Sequence, residues 1–412
     1  MRSSLARLRP PTNHSHPPHI LLGASYRPKS TTTTTTTTTT NAPFSPPPPQ
    51  SPSFSPSAYL EAAARKFAST PPILTRDVLS PTPSRLLTLS LADHCPALFP
   101  PLPPSHDGGS SNNDKGDGNG NADLPSFPML PQGHHLVYFP LQRPPSQLMP
   151  DGTDPAHSPG PPFVRRMWAG GEVVFRGGWE RELRVDGRPV GCLERVGGRP
   201  VFKEGKGKGD GEGKVFVEVR REYGVLRDGG GGLGGETGGV IEEVRRLVFL
   251  RERGGHRAGE RKVAEEGRKG VRVPYTPEFT YSLKPDATLL FHFSALTYNA
   301  HAIHLNPEYA RDVEGYKGLL VHGPLSLVLM LAALRASLVQ LQTASVAGNP
   351  LRMPYVKLIR YSNLAPLYVD EEMKVCLRRT RPEGDELGWD VWIEGPEGGL
   401  AVKGTAVTTG VR

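Results

Sequence analysis

A single apolar segment, residues 325–334, restricts the possible folds of this chain more than any other stretch. Gly323 and Pro324 precede it, and proline is enriched at the first position of helices. The segment therefore predicts a helix from Pro324 to about Gln340. Arg335 interrupts the apolar run, whereas a bilayer span needs roughly 20 apolar residues. We interpret the helix as a core helix and expect no membrane association.

Four candidate strands follow this helix, at residues 354–362, 366–379, 388–394 and 399–409, and a short helix from Asp286 to Thr297 is predicted before it. Polar and apolar residues alternate clearly within the second and third of these strands, as expected for half-buried strands. One long helix followed by an antiparallel meander makes an α+β layer in which the sheet can curl around the helix.

The first half of the chain repeats the meander without a comparable helix. Residues 58–68 and 83–92 favour short helices. The strand-like runs are residues 134–141, 164–178, 190–196, 215–225 and 242–252. We therefore expect a degenerate tandem pair, organised as a leader at residues 1–57, a first domain at 58–250, a linker at 251–273 and a second domain at 274–412.

The leader has the composition of a targeting segment. The first 60 residues contain no acidic residue, and their basic residues are Arg2, Arg7, Arg9, Arg27 and Lys29. This composition, rich in hydroxyl residues, is typical of a mitochondrial transit peptide, so we predict a matrix protein. Without these five charges the formal net charge of +8 falls to about +3. Since no basic stripe with interleaved aromatic residues follows, we expect no nucleic-acid partner.

The sequence gives no support for a disulfide framework, a metal or a cofactor. Cys95, Cys192 and Cys376 lie far apart and form no C-x-x-C pair. His134 and His135 are adjacent, so in a strand they would face opposite sides. The Lys-Gly run at residues 203–214 lacks the spacing of a phosphate-binding loop. We predict that the protein binds neither a metal nor a cofactor.

Three histidines lie close to the start of the predicted long helix. His301 and His304 belong to the segment N-A-H-A-I-H at residues 299–304, and His322 belongs to V-H-G-P. An imidazole titrates near neutral pH, and the Gly323 N–H lies at the positive end of the helix dipole. Removal of an α-proton from a thioester needs both a base and a donor to the developing enolate oxygen. This region is therefore the candidate active site.

Three blocks of sequence carry a family resemblance: FSALTYNAHAIHLNPEYA at 293–310, GYKGLLVHGPL at 315–325 and RMWAGG at 166–171. They resemble the mitochondrial 3-hydroxyacyl-thioester dehydratase type 2, one of the MaoC-like, R-specific enoyl hydratase 2 proteins of hot-dog fold. The resemblance implies a double hot dog with its two sheets joined edge to edge and one active site in the C-terminal half. It also implies a hydro-lyase.

The resemblance assigns roles to individual residues. The wider hydratase 2 group carries D-x-N-P-L-H, and on this chain His304 matches the histidine, Asn299 takes the aspartate position and His301 the asparagine position. An amide can hold water or a hydroxyl but cannot accept a proton. We therefore expect His304 to be the acid/base, Asn299 to orient the hydroxyl and the Gly323 N–H to bind the thioester oxygen. His301, His322 and Tyr298 are supporting candidates, with His322 shaping the turn.

Two further expectations concern the first half. Arg166, Met167 and Trp168 form either a tunnel wall or, as we favour, ordinary core packing. Because no strong helix is predicted to fill the groove of the first sheet, we expect an apolar channel that gives room to the acyl chain.

The leading interpretation is reversible dehydration of (R)-3-hydroxyacyl thioesters to trans-2-enoyl thioesters on acyl carrier protein, in mitochondrial type II fatty-acid synthesis. The alternatives are an enoyl- or mesaconyl-CoA hydratase, a hot-dog thioesterase and a non-catalytic acyl-binding subunit, since a fold does not decide a function. The expected partners are acyl carrier protein or a coenzyme A thioester. The expected state is a monomer with an internal pseudo-dimer, or a homodimer.

Overall fold

The computed structural model describes residues 54–100, 129–205, 213–227, 229, 231–234, 238–252, 273, 275–344, 354–380 and 386–409. Nearly all of the predicted leader at 1–57 and most of the predicted linker at 251–273 lie outside these residues.

Ten strands form a single antiparallel sheet. They are β1 (Ile73–Val78), β2 (Phe163–Phe175), β3 (Pro189–Glu204), β4 (Gly213–Val225), β5 (Ile241–Arg251), β6 (Phe279–Leu283), β7 (Val356–Asn363), β8 (Met373–Arg379), β9 (Glu386–Glu394) and β10 (Leu400–Thr409). Their order across the sheet is β1-β3-β4-β5-β2-β7-β10-β9-β8-β6. Read inward from the two edges, the halves have the same order, 1-3-4-5-2 and 6-8-9-10-7.

The two halves meet where β2 pairs with β7. The register runs from Gly170 opposite Ser362 to Val174 opposite Leu358. Because each half supplies five strands in the same order, the chain is an α+β double hot dog whose sheets are joined edge to edge. This architecture confirms the predicted fold class.

The helices are α1 (Pro56–Ser69), α2 (Pro81–Ala92), α3 (Trp179–Glu182), α4 (Ala287–Thr297) and α5 (Gly323–Ala344). Helix α5 is long and apolar enough to cross a membrane by length and composition, yet 67% of that stretch is buried inside the protein. Every residue from Leu327 to Leu334 is buried. A helix that is apolar on all sides belongs in a core, and α5 packs against β2, β7, β8 and β9. The predicted core helix is confirmed.

The first half has a short 3-10 helix, His134–Val137, where the sequence predicts a strand at 134–141. That strand prediction is wrong, because Gly133 takes a left-handed conformation with φ of 95° and turns the chain. The His135 ring packs against Phe175 of β2 and Tyr223 of β4. This segment therefore packs on the face of the first sheet, and α2 packs against the segment and against α4.

Other differences from the predicted elements have local causes. The edge strand β1, six residues long and paired with β3, is not among the predicted elements. The strand predicted at 366–379 begins only at Met373, because Asp370 has a positive φ of 60° that breaks an extended segment. Strand β3 continues to Glu204, well beyond the predicted 190–196.

Candidate active site

The loop that holds the candidate catalytic residues, termed the catalytic loop, comprises residues 298–304 and follows the end of α4. Tyr298 caps that helix in a left-handed conformation with φ of 51°, and its side chain is exposed. The Asn299 N–H donates to the Ser294 carbonyl at 2.8 Å, and the Asn299 side-chain oxygen accepts from the His301 N–H at 3.1 Å. A 3-10 turn, Ala302–His304, follows. This turn places the rings of His301 and His304 edge to face, with centroids 5.5 Å apart.

His304 is buried and held in one tautomer. Its Nδ1 lies 2.8 Å from the Leu320 carbonyl oxygen. Since a carbonyl can only accept, Nδ1 carries the proton and Nε2 keeps its lone pair in the neutral ring. Burial lowers the pKa of His304 to about 4; the Leu320 contact opposes this shift and the charge of Arg166 adds to it. At neutral pH His304 is therefore an unprotonated base.

His322 supports the ring of His304. The two rings stack with centroids 3.7 Å apart and an interplanar angle of 20°. His322 is fully buried and its Nε2 lies 2.9 Å from the Ser294 hydroxyl, while its Nδ1 has no hydrogen-bond partner among the described residues. Burial, followed by the nearby His304 and His301, holds the pKa of His322 well below its usual range. These contacts fix the ring of His322 against that of His304.

Gly323 is the first residue of α5, so its N–H has no acceptor within the helix. A Cβ at this position would lie 2.9 Å from the Asn363 Nδ2 and from the Trp168 Cβ. The missing side chain makes room for the Trp168 ring, which lets β2 pack against the start of α5.

A carboxylate from the first half reaches the catalytic loop. The Asp151 carboxylate lies 3.7 Å from His301 Nε2, and its backbone carbonyl accepts from the Ala302 N–H at 2.9 Å. A Cβ on Gly152 would lie 2.0 Å from the Ala300 carbonyl oxygen, so the two loops are in close contact. Asp151 is not among the predicted site residues, since an Asp-Gly pair by itself is only a turn signal. Thus Asn299 replaces an aspartate in the loop, but a carboxylate still lies beside His301.

The site opens into a cavity of about 860 Å³ that both halves line. Among its lining residues are Tyr298, Asn299, His301, His304, Gly323, Arg166, Met167 and Trp168. The interpretation of Arg166, Met167 and Trp168 as core residues is corrected here, since all three face this space. Trp168 is only partly buried, and its indole N–H donates to the Tyr361 hydroxyl at 2.8 Å. The strand β2 therefore supplies one wall of the cavity.

The cavity extends into the first half, where its walls are mixed. Apolar side chains there include Leu74, Leu136, Phe139 and Leu247. The charged side chains include those of Arg143, Asp154, Arg166, Glu194, Arg221 and Arg245, which form a charged wall. That the first half gives room to an acyl chain stays a prediction. Sequence analysis missed this charged wall, because its members come from separate segments of the chain.

One group in this wall has the ligand types of a metal site. Asp154, His157 and Glu194 each offer an atom within 4.8 Å of the others. The carboxylates already have cationic partners, Arg143 at 3.1 Å from Asp154 and Arg221 at 3.1 Å from Glu194. Ion pairing accounts for the arrangement without a metal, and the absence of a bound metal remains a prediction.

Known proteins resemble this chain along most of its length. The family model for hydroxyacyl-thioester dehydratase type 2 matches residues 133–369, a stretch that contains the catalytic loop, the start of α5 and β2. The chain is 30% identical to the mesaconyl-C(4)-CoA hydratase of Chloroflexus aurantiacus over 287 residues, covering 67% of this chain and 82% of that protein. It is 24% identical to the mitochondrial hydroxyacyl-thioester dehydratase type 2 of Schizosaccharomyces pombe over 267 residues, covering 61% and 78%.

Among solved structures, a MaoC-like dehydratase from Phytophthora capsici matches with a TM-score of 0.48 at 18% identity, covering 84% of this chain and 97% of that one. The family assignment depends on the sequence matches, because the family model spans more than half of the chain and the Chloroflexus relative is 30% identical over most of its length. The chain belongs to the hydroxyacyl-thioester dehydratase type 2 family of hydro-lyases.

Proposed function

We propose that the protein catalyses the reversible dehydration of (R)-3-hydroxyacyl thioesters to trans-2-enoyl thioesters. The observation that carries this proposal is the pairing of a neutral His304, whose Nε2 is free to act, with the first N–H of α5 in one cavity. A thioester carbonyl bound at Gly323 brings its α- and β-carbons toward His304.

In this mechanism Gly323 donates its N–H to the thioester oxygen while His304 Nε2 takes the α-proton. The electron pair of the broken C–H bond forms the enolate, which then collapses as the β-hydroxyl leaves. His304 returns its proton to that hydroxyl, and water departs. One oxyanion donor of this kind contributes roughly 3 to 4 kcal/mol, and the helix dipole favours the same negative charge.

The low pKa of His304 suits the second half of this cycle. A buried imidazolium is a strong acid, so it protonates the leaving hydroxyl readily. Abstraction of the α-proton by so weak a base depends on stabilisation of the enolate, which makes Gly323 as necessary as His304. Asn299 orients the hydroxyl, or the water in the reverse direction, and His301 with Asp151 supports the loop.

For the carrier and the location, we propose acyl carrier protein and the mitochondrial matrix, within type II fatty-acid synthesis. The similarity to the mitochondrial S. pombe protein and the acid-free leader support this. N-terminal sequencing of the protein from isolated mitochondria tests the location, and we expect a mature terminus before Ala58. An intact Met1 terminus in the cytosolic fraction would contradict it.

The second candidate is hydration of an enoyl- or mesaconyl-type coenzyme A thioester. The similarity to the Chloroflexus hydratase and the charged wall of the cavity both favour it. In either case we propose that residues 58–250 and 274–412 are two domains joined by a linker at 251–273, acting as a monomeric pseudo-dimer or a homodimer.

One experiment separates the classes of function. Purified protein is mixed with crotonyl-CoA, and the loss of enoyl absorbance is followed alongside the release of free thiol. Loss of absorbance without thiol release supports a hydro-lyase. Thiol release would indicate a thioesterase, and neither change with tight binding would indicate a non-catalytic acyl-binding subunit.

A further inference from the structure

Four arginines line the part of the cavity that the first half contributes, and three of them have carboxylate partners. The paired residues are Arg143 with Asp154 at 3.1 Å, Arg221 with Glu194 at 3.1 Å and Arg245 with Glu243 at 2.8 Å. Arg166 is the fourth. Among the ion pairs of the described residues, none includes Arg166.

The contacts of Arg166 leave most of its donors available to the cavity. One guanidinium nitrogen lies 3.4 Å from His157 Nδ1. Asp154, Asp151 and Glu194 attract the charge at longer range, but Asp154 is paired with Arg143, Glu194 with Arg221, and Asp151 accepts from the Thr153 hydroxyl at 2.7 Å. No carboxylate among the described residues forms a direct ion pair with Arg166, so its guanidinium is available to an anion that enters the cavity.

The position of Arg166 indicates which part of a substrate carries that anion. Arg166 and Trp168 lie on the same face of β2, two residues and about 7 Å apart, and Trp168 lies directly beside Gly323. The charge of Arg166 also reaches His301 and His304, where it adds to the effect of burial in lowering both pKa values. The anion therefore lies within a few bonds of the reacting carbons. The phosphate of a pantetheine carrier is separated from the thioester sulfur by the whole length of the pantetheine arm.

We propose that Arg166 binds a second carboxylate in the acyl group, so that the preferred substrates are short thioesters of dicarboxylic acids. A guanidinium binds a carboxylate through two parallel hydrogen bonds, which fixes its orientation as well as its charge. A carboxylate on the fourth carbon would meet Arg166 while the thioester oxygen meets Gly323. This inference rests on the proposed reaction, and within it selects the second candidate, a coenzyme A thioester, in place of the fatty-acid substrates proposed first.

The test compares two coenzyme A thioesters that differ at the fourth carbon, crotonyl-CoA with a methyl group and the monothioester of fumarate with a carboxylate. For the wild-type protein we expect kcat/KM to be at least about tenfold higher for the fumarate thioester. In Arg166→Met the ratio of kcat/KM for the fumarate thioester to kcat/KM for crotonyl-CoA should fall at least about tenfold. Arg166→Lys should keep part of this preference. Arg176→Met is the matched control, because Arg176 is an exposed arginine just after β2, paired with Glu242 outside the cavity; its ratio should stay that of the wild type.

A binding measurement separates failure of the subsite from failure of the reaction. Succinyl-CoA and butyryl-CoA are saturated and cannot react, and calorimetry should show tighter binding of succinyl-CoA that Arg166→Met abolishes. If succinyl-CoA binds more tightly than butyryl-CoA but neither enoyl substrate is turned over, the carboxylate subsite is supported and the proposed reaction is refuted. Equal affinity of the wild-type protein for succinyl-CoA and butyryl-CoA would overturn the proposal. So would an Arg166→Met variant that binds both thioesters and free coenzyme A more weakly by the same factor, since Arg166 would then bind a phosphate of the carrier.

Discussion

The ring of His304 is held between two fixed partners, since it stacks on His322 at 3.7 Å and donates from Nδ1 to the Leu320 carbonyl at 2.8 Å. The stack sets the plane of the ring and the hydrogen bond sets its rotation. Only Nε2 is left for chemistry. A base whose direction is fixed in this way costs little to orient at the moment of reaction.

Replacement of His304 by alanine should lower kcat at least about 100-fold, because the proposed proton carrier is lost. Crotonyl-CoA hydration measures the effect, and circular dichroism checks the fold. His292→Ala is the control, since His292 is an exposed histidine on α4. Activity of folded His304→Ala within a few-fold of wild type would remove His304 from the mechanism.

Changes at His322 should separate stacking from hydrogen bonding. His322→Phe keeps a ring against His304 but leaves the buried Ser294 hydroxyl without its partner, which costs about 1–3 kcal/mol of stability. His322→Ala removes the ring as well, so His304 can rotate. We expect a clearly larger loss of kcat in the alanine variant than in the phenylalanine variant. Equal kcat values for the two would argue against a positioning role.

Gly323→Ala should destabilise the protein by about 1–3 kcal/mol, because its Cβ would press against Trp168 and Asn363. Movement of β2 away from α5 should also lower kcat. Gly318→Ala is the control, as a Cβ there meets nothing within 4 Å. Urea unfolding of both variants measures the difference, and a Gly323→Ala protein as stable as Gly318→Ala would show that the contact relaxes freely.

Asp151→Asn tests the carboxylate that the first half brings to the loop. The asparagine side chain can still accept a hydrogen bond from the Thr153 hydroxyl, but the substitution removes the negative charge that lies 3.7 Å from His301 Nε2. If Asp151 and His301 together assist proton transfer, kcat should fall about tenfold or more while KM changes little. A change in KM alone would assign Asp151 to the shape of the cavity.

The buried histidines should make the protein sensitive to acid. Burial lowers the pKa values of His134, His135, His301, His304 and His322, to about 4 for His135 and His304. In the unfolded chain they titrate near 6.5, so between about pH 6.5 and pH 4 the unfolded state binds more protons than the native state. The free energy of unfolding should therefore fall with decreasing pH, by up to about 1.4 kcal/mol per unit for each histidine. Urea midpoints at pH 7.5, 6 and 5 check this, and a constant midpoint would contradict it.

Local patterns predicted the second half well. The apolar run and its Gly-Pro start predicted α5, and the short helix predicted from Asp286 to Thr297 is α4. Asp286 is the residue before that helix, and its side chain accepts from the Leu289 N–H. The catalytic loop and Gly323 were predicted to share one site because both lie close to the start of α5. In each case the signal lay within a few residues of the element.

The charged wall had no such signal. His157 and Glu194 are 2.8 Å apart in space but 37 residues apart in sequence, and Asp151 meets His301 from 150 residues away. Each residue alone is an ordinary loop or strand residue. The turn at His134 was missed for a related reason, since its hydrophobic residues suit a strand and only the conformation of Gly133 and its tertiary contacts decide otherwise.

The pairing of β2 with β7 also has a consequence for how the protein acquires activity. It joins Gly170 to Ser362 across 192 residues of chain, and contacts of such long sequence separation form late and slowly in folding. Trp168, two residues before the paired segment of β2 begins, is packed against Gly323. Each half can build its local strands early, yet Gly323 and the cavity wall on β2 meet only when the two halves pair. A newly synthesised chain therefore gains most of its secondary structure before it can bind or turn over a thioester.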